Sequence, residues 1–489
     1  MAEKPSLLGR STLSPVDNKR RKEVVLPGQR SQNFILTARC RIVNVGTRIP
    51  ITAADLPGES GGSYSWTTAS THIRLINNAG PTVAVEGLSI GTARDSETIT
   101  CTRRGADGAT TTKTVTITVA KVTFLQASTQ KFGFDDYDTP ADHTDDHISI
   151  GSEEETFIKV KIEGGAVGTD FTFLCEDTTA CTVAVPPGSA EFDLSLRAGR
   201  WQKKTTKLRA RVKCPSVAIF ATIAVHIYNQ TVVKVLIAKV ADTRSPGTSL
   251  RFATADYAAH QNDANLKLRE AVVRYELTNF DAANQVTNVA FDNDNNGALS
   301  YDINSNGGRE CELIRNAVRS TVRDQKRVVI IRKMKSLYYL DRPARRGETS
   351  IVVRGSNVFS AEMPLGAGPT LETVEVISNT GNIGQLAAPL AFDHVAGEPL
   401  EFPAAGWGGD PILIAEGNDT LDVAKWTILH EVGHTALNLM DIVDPTDFMH
   451  FDQSNTDYRL RYCPRQSRYN SGTTENQWET IPRPTLRNR

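Results

Sequence analysis

The residues that most clearly specify a chemistry lie in one stretch, "KWTILHEVGHTALNLMDIVDPTDFMH", from Lys425 to His450. It contains an H-E-x-x-H pattern at His430, Glu431 and His434. On a helix, positions i and i+4 lie one turn apart on the same face, so both imidazoles can bind one metal ion. The glutamate beside them then lies where it can take a proton from metal-bound water. We therefore predict a Zn²⁺ site with His430 and His434 as ligands and Glu431 as the general base.

The third ligand of this site is not in its usual place. The metzincin pattern is H-E-x-x-H-x-x-G-x-x-H, in which the glycine ends the helix and the chain returns the last residue to the metal. Here the glycine position holds Leu437 and the ligand position holds Met440. Neither residue type can take these roles. The pattern is therefore an incomplete metzincin signature if it is read in the usual frame.

The missing elements reappear one residue later, as Asn438 and Asp441. Asparagine tolerates the left-handed backbone conformation better than other non-glycine residues, so it can end the helix there. Without such a turn, Asp441 would lie about 16 Å along the helix axis from His430. We predict a turn at Asn438 and Asp441 as the third ligand, with Asp444 and His450 left open as alternatives.

The helix that carries the motif must be held against a core by its other face. Leu421, Ala424, Ile428, Val432, Ala436 and Leu439 form an apolar stripe away from the histidines. This pattern predicts a helix that is packed on one side and presents the metal ligands on the other.

The rest of the chain divides into a tail, two β parts and a mixed part. Residues 1–32 mix Pro, Ser, Lys and Arg without periodicity and predict a flexible tail. Short alternating runs separated by Gly, Asn and Asp turns predict an Ig-like β-sandwich over 33–124, with Trp66 and Cys101 in its core. Similar runs, ending in "TVVKVLIAKV", predict a second sandwich over 125–243.

Helical and strand patterns then alternate over 244–489, which predicts one α+β domain around the zinc helix. The fold class we expect is therefore multidomain: two N-terminal all-β sandwiches followed by an α+β zincin-like domain. For a peptide substrate we expect strand addition to an edge of this domain, near "TSIVVRG".

Composition excludes several function classes. Lys+Arg (55) and Asp+Glu (56) nearly cancel, which gives a net charge of −1 and no general attraction to nucleic acid. No apolar run is long enough to span a membrane. The start of the chain lacks the apolar core of a signal peptide, so we expect synthesis in the cytoplasm. Seven scattered cysteines without C-x-x-C argue against a disulfide scaffold.

Two acidic segments contain residue types and spacings that could bind further metal ions. "FDDYDTPADHTDDH" places His143 and His147 at i and i+4, and "DNDNNGALSYD" begins like a calcium loop at Asp292. The position that needs a bidentate glutamate holds Ile303, so we interpret the second segment as a polar turn. The first is interpreted as a solvated connector.

The segments "GSYSWTTASTHIRLINNAG", "SPGTSLRFATADYAAH" and "TILHEVGHTALNLMDIVD…FMHFDQSNTDYRLRYCPRQSRYN" together resemble a group of large bacterial proteins. In these proteins Ig-like β modules precede a zincin (metzincin-like) metallopeptidase domain, and we associate them with type VI and related contractile secretion systems. The resemblance implies that "DPTDFMHFD" is a methionine turn, with Met449 as structural support beneath the metal. It also implies export by such a system and binding of one of its components through the N-terminal β parts.

These expectations combine into one functional prediction: a zinc-dependent endopeptidase that hydrolyses peptide bonds with metal-activated water, as a secreted effector or toxin. A non-catalytic binding or structural component with a zinc-stabilised domain is the alternative. Intact Glu431 favours the enzyme, because a purely structural zinc needs no general base. A zinc hydrolase acting on other substrates also fits the motif.

Overall fold

The structure is a computed structural model, and every structural statement below concerns the residues that it describes. These are 34–59, 61–135, 146–214, 218–244, 254–279, 287–302, 307–318, 325–354, 362–403, 406–407, 409–416, 421–441, 447, 449, 460 and 477–485. The tail predicted at residues 1–32 lies outside them.

Of the described residues, 51% are in strands and 14% are in helices. It divides into two compact units. The first contains the residues up to Ala120 together with Cys214, and the second contains the others. Of the helices within the described ranges, none has the length and apolar character needed to cross a membrane.

The first unit is built from short strands joined by turns. They are β1 (Phe34–Ala38), β2 (Ile42–Asn44), β3 (Arg48–Asp55), β4 (Ser63–Thr68), β5 (Ile73–Ile76), β6 (Thr82–Gly87), β7 (Glu97–Arg104) and β8 (Thr110–Gln126, in this unit up to Ala120). One antiparallel sheet has the order β1-β3-β6-β5, and the other joins β4, β7, β8 and β2.

The core of the first unit follows from the alternation along these strands. In β3, for example, Ile49, Ile51 and Ala53 are buried between exposed neighbours. Trp66 and Cys101, which we predicted as core residues, pair directly across β4 and β7 and are 1% and 0% exposed. That prediction is confirmed.

One covalent link in this unit was not anticipated. Cys40 forms a disulfide with Cys214, which lies 174 residues further along the chain. The described cysteines Cys101, Cys175, Cys181 and Cys311 are free and buried. Among the described cysteines, Cys40–Cys214 is thus the one disulfide.

The second unit opens with another β part, here called the second β module and defined as Lys121 to Tyr228. Its strands are the end of β8, β9 (Phe134–Asp135), β10 (His147–Gly151), β11 (Glu155–Glu163), β12 (Phe171–Cys175), β13 (Cys181–Val183), β14 (Glu191–Ala198), β15 (Lys203–Val212) and β16 (Ile219–Tyr228). They form two sheets, one with the order β12-β15-β16-β10-β9 and one joining β13, β14, β11 and β8.

Aromatic side chains hold the two sheets of this module together. Phe173 of β12 makes edge contacts with Phe124 of β8 and Phe192 of β14, at centroid distances of 6.3 and 5.9 Å. Such contacts between strands of different sheets fill the interior of a sandwich.

The elements that follow include the predicted zinc helix, here α3. They are β17 (Thr231–Asp242), α1 (Thr254–Leu268), β18 (Val273–Asn279), β19 (Thr287–Val289), β20 (Leu299–Asp302), α2 (Gly308–Ala317), β21 (Gln325–Ile331), β22 (Met334–Tyr339), β23 (Ser350–Val352), β24 (Glu362–Leu365), β25 (Glu372–Thr380), β26 (Ile383–Leu386), β27 (Pro399–Pro403), β28 (Gly406–Trp407), β29 (Ile412–Ala415), α3 (Leu421–Leu437) and α4 (Gln477–Thr480).

The sheet nearest the zinc helix has the order β18-β17-β21-β29-β28. The first four strands are parallel, and the edge strand β28 runs antiparallel to β29. Helix α3 follows β29 in the chain and contacts β29, β28 and β21. This sheet is the layer on which the motif helix packs.

Strand β17 lies in a different place from the one we expected. The sequence suggested that "TVVKVLIAKV" closes the second sandwich, but β17 pairs in parallel with β18, β19 and β21. It is buried over almost its whole length from Val235, as in a parallel sheet that is covered on both faces.

A further sheet is inserted before the edge strand β28. It has the order β20-β22-β27-β24-β25-β26-β23. Its core contains Tyr338, Leu340, Met363, Leu365, Val374, Val376 and Leu400, all buried. The sequence predicted only isolated strands in this region.

Candidate metal centre

Helix α3 presents the two motif histidines to one point. The Nε2 atoms of His430 and His434 lie 3.1 Å apart. The predicted packing stripe is largely buried, with Ile428 and Val432 fully so and Leu439 2% exposed. The stripe therefore anchors the helix, but the burial extends beyond the predicted face, since Trp426, Leu429 and His430 are only 7%, 1% and 7% exposed.

The chain turns back directly after the helix. Helix α3 ends at Leu437, and Asn438 has a φ of 59°, in the left-handed region. The amide of Leu439 donates to the carbonyl of Gly433, six positions earlier and 3.1 Å away. This hydrogen bond satisfies one of the last helical carbonyls. The turn that we predicted at Asn438 is confirmed.

This turn brings a carboxylate to the histidines. Asp441 Oδ1 lies 3.2 Å from the Nε2 atom of His430 and 3.2 Å from that of His434. The three groups form a cluster of potential metal-ligating atoms. The alternatives Asp444 and His450 lie outside the described residues, and the assignment of Asp441 as the third ligand stays a prediction.

The turn also orients one of the imidazoles. His434 Nδ1 lies 2.8 Å from the carbonyl oxygen of Leu439. A carbonyl can only accept, so Nδ1 carries the proton and donates it to this oxygen. The other nitrogen, Nε2, then faces Asp441, which is the arrangement that a metal-binding histidine needs.

The spacing of the three atoms fits a small tetrahedral ion. Zinc binds imidazole nitrogen and carboxylate oxygen at about 2.0–2.2 Å, so neighbouring ligand atoms in a tetrahedron lie about 3.3–3.5 Å apart. The three distances here are 3.1, 3.2 and 3.2 Å. Two imidazoles and one carboxylate also suit zinc, and they leave a fourth position for water or substrate. The residues present therefore fit the predicted ion.

The charges around this cluster act in opposing directions. Burial raises the pKa of Glu431, against the effect of the two nearby imidazoles. Burial would also raise the pKa of Asp441, but hydrogen bonds from His430 and His434 outweigh it and hold the value well below its usual range. The same carboxylate raises the pKa of His434, although burial alone would lower it. An anionic oxygen between two imidazoles thus favours positive charge at this point, whether from protons or from a metal ion.

Met449, expected as structural support, is fully buried. Its backbone amide donates to Asp447 Oδ1, 2.8 Å away, and Gln477 Nε2 donates to the same oxygen at 3.1 Å. Asp447 and Gln477 are 1% and 0% exposed. The role of Met449 beneath the metal stays a prediction, but its turn is tied to residues near the C-terminus.

One neighbour of the site was missed in the sequence. Trp426 stacks on the ring of His430, with a centroid distance of 4.7 Å and an interplanar angle of 28°. The two residues are at i and i+4 on a helix, so their spacing already placed them on one face. Stacking of this kind restricts the rotation of the imidazole.

The edge strand beside helix α3 is β28, at the end of its sheet. The segment "TSIVVRG", where we expected strand addition, contains β23, which is the edge strand of the inserted sheet. That strand pairs with β26 in the inserted sheet. The edge next to α3 is therefore Gly406–Trp407.

The loop that begins like a calcium site contains a second group of carboxylates. Asp292 and Asp294 lie close to Glu310 of α2. Asp292 accepts the backbone amides of Asn296 and Gly297, and Glu310 accepts the amide of Ser300 at 2.8 Å. These bonds are those of a polar turn, as we interpreted it.

Of the two histidines in the other acidic segment, His143 is outside the described residues and His147 is on β10. The Nδ1 atom of His147 lies 3.0 Å from Nε2 of the buried His226, on β16.

No protein-family model and no curated protein sequence matches the chain. Parts of it are similar to solved all-β structures. The fibronectin(III)-like modules of CbhA from Clostridium thermocellum are 12% identical over 40% of this chain and 94% of that one, with a TM-score of 0.20. The tandem Ig repeats of Dlar are 13% identical (40% and 97% covered, TM-score 0.15). The bacterial integrin-binding protein invasin is 12% identical (40% and 39%, TM-score 0.22).

Similarities at this level carry no argument about family, substrate or partner. The strands described above are the evidence that the N-terminal parts are all-β.

Proposed function

We propose that the protein is a zinc-dependent endopeptidase. The observation that carries the proposal is the position of Asp441, whose carboxylate oxygen lies 3.2 Å from both histidine Nε2 atoms. Three converging ligands with one open position are typical of a catalytic rather than a structural zinc. Bound there, zinc would polarise the scissile carbonyl and lower the pKa of its water to roughly 7.

In this proposal the residues of the site have separate roles. His430 and His434 hold the ion, and Asp441 completes the set. Glu431 is the general base that takes the proton of the attacking water and returns it to the leaving amine.

The edge strand β28 is the proposed place for the peptide. Gly406 and Trp407 pair with β29 on one side, and β28 is the last strand of the sheet order. An extended peptide could add to the other side by main-chain hydrogen bonds, in contact range of α3. The ring of Trp407 packs on Tyr301 at 4.5 Å, which fixes this edge from the inserted sheet.

We further propose that the N-terminal β parts bind a component of a contractile secretion system that exports the protein. This proposal rests on the sequence resemblance alone. Its test is secretion: deletion of the apparatus genes in a native host should retain the protein inside the cell.

The decisive experiment measures metal content and proteolysis together. We expect one zinc per chain in the wild type and in Glu431→Gln, with cleavage of casein lost only in the variant. Glu375→Gln, which changes an exposed glutamate of β25, is the matched control and should keep both properties. Zinc in the wild type without cleavage of any protein in a proteome digest would favour the non-catalytic alternative.

A further inference from the structure

The C-terminal segment from Gln477 to Pro484, here called the strap, lies between Asp447 and the ends of strands β15, β16 and β17. Both ends of the strap are held by side chains from distant parts of the chain. We propose that the strap couples these strand ends to the Asp447–Met449 turn, so that loosening the strap alters the order of that turn.

The near end of the strap is buried against the turn. Gln477 donates to Asp447 Oδ1, which also accepts the Met449 amide. Trp478 is fully buried, and its Nε1 donates to the carbonyl of Leu460 at 2.9 Å. A buried polar group that loses its partner destabilises the folded state, so these bonds hold the strap in one place.

Glu479, in the middle of the strap, is held by hydrogen bonds and an ion pair. Tyr228 donates to Glu479 Oε1 at 2.6 Å, and Lys203 forms an ion pair with the same carboxylate. Lys203 Nζ also donates to the Glu479 carbonyl, at 3.0 Å. Both partners are in the second β module, on β16 and β15.

The far end of the strap is held through its backbone. Gln202 donates to the Arg483 carbonyl at 3.0 Å, Asn229 to the Pro484 carbonyl at 3.1 Å, and Thr231 to the Pro482 carbonyl at 2.8 Å. Side chains at the ends of β15, β16 and β17 thus bind an extended segment much as a receptor binds a peptide.

Arg483 joins three parts of the unit at once. Its guanidinium lies 4.0 Å from the centre of the Tyr228 ring, within cation–π range. It donates to the carbonyl of Ala271, just before β18, at 2.7 Å, and to that of Trp478 at 2.9 Å. Burial lowers the pKa of Arg483 to about 10, so the side chain stays charged at neutral pH. Loss of this residue should loosen the strap along its whole length.

The proposal predicts an effect at a distance, which hydrogen exchange can measure. Exchange of the Met449 amide reports the turn, and Arg483→Ala removes a side chain from the far end of the strap together with its hydrogen bond to the Trp478 carbonyl. We expect exchange at Met449 to be about tenfold faster or more in Arg483→Ala, because a cation–π contact and two charge-assisted hydrogen bonds are lost. The milder Thr231→Val, which removes one donor without a change of shape, should give a smaller increase.

The matched control is Arg209→Ala. Arg209 lies on β15, as Lys203 does, and pairs with Glu176, which is not part of the strap. Met449 exchange should stay at the wild-type rate in this variant. Faster exchange confined to residues 477–485 in Arg483→Ala and Thr231→Val, with Met449 unchanged, would overturn the coupling. The measurement needs neither zinc nor substrate, so its outcome is independent of the proposed activity.

Discussion

The turn at Asn438 offers a sharp test of how the third ligand reaches the metal. The φ of 59° at this position is unfavourable for a residue with a Cβ, costing roughly 1–2 kcal/mol for alanine and less for asparagine or glycine. The side chain of Asn438 is exposed, so its replacement perturbs mainly the backbone. Asn438→Ala and Asn438→Gly therefore form a pair that differs in backbone preference alone.

We expect Asn438→Ala to destabilise the turn by about 1 kcal/mol, up to about 2. If the metal-free chain then leaves the turn, helix α3 continues and Asp441 moves away along the axis. Zinc affinity would fall by about 5- to 30-fold, which is the same free energy expressed as a ratio. If the metal-free chain keeps the turn, the same cost appears as a loss of folding stability. Asn438→Gly should match the wild type within about twofold in affinity, since glycine adopts this conformation freely.

The assay is zinc competition against a fluorescent chelator at pH 7.5, together with urea unfolding of the metal-free proteins. Wild-type values for Asn438→Ala in both measurements would refute the reasoning. An equal loss in the glycine and alanine variants would also refute it, because the amide side chain and not the backbone would then be responsible.

Three further predictions follow from the charged groups. Asp441→Asn should weaken zinc binding by at least about tenfold, because a neutral amide replaces the anionic ligand. Unchanged zinc affinity would show that another residue is the third ligand. Glu479 has a pKa of about 2, since hydrogen bonds from His226, Lys203 and Tyr228 outweigh the upward effect of burial. Its stabilising contribution is present above pH 4.5 and is lost as the pH falls towards 2, so between pH 6 and 3 the wild type should lose about 2 kcal/mol more than Glu479→Gln in urea unfolding. Burial, with a smaller contribution from Lys425, lowers the pKa of His260 to about 3. The unfolded chain therefore binds a proton first as the pH falls below 6.5, and about 2 kcal/mol of stability should be lost between pH 7.5 and 5 in the wild type but not in His260→Phe; equal losses in the two proteins would contradict this.

The local features of the candidate site were accessible from the sequence because they depend on near neighbours. The spacing of His430 and His434 and the left-handed tolerance of Asn438 are properties of a few consecutive residues. Asp441 lies only three residues beyond the turn, so its approach followed from the same local geometry. The stacking of Trp426 on His430 has the same i, i+4 origin and could have been predicted from the sequence.

The partners of strands were not accessible in the same way. Alternation and apolar runs identify a strand but do not identify the strand that pairs with it. The run from Val235 to Val240 in β17 had a usable signal, since a nearly continuous apolar strand is typical of a parallel sheet covered on both faces. The contacts of the strap join residues more than 200 positions apart, such as Tyr228 and Glu479, and no short pattern encodes them.

The position of β17 changes how the two halves of the second unit depend on each other. This strand follows β16 after only two residues, and it pairs with both β18 and β21 in the sheet that supports α3. A cut at the expected boundary, residue 243, would remove a strand from the interior of that sheet, separate β18 from it, and leave β21 paired only with β29. A chain that begins at 244 should therefore not retain the helix α3 in place. The strap ties the same two halves together a second time, at the opposite end of the sequence. Through the two-residue connection to β17 and through the strap, the second β module is thus joined to the scaffold of the candidate site.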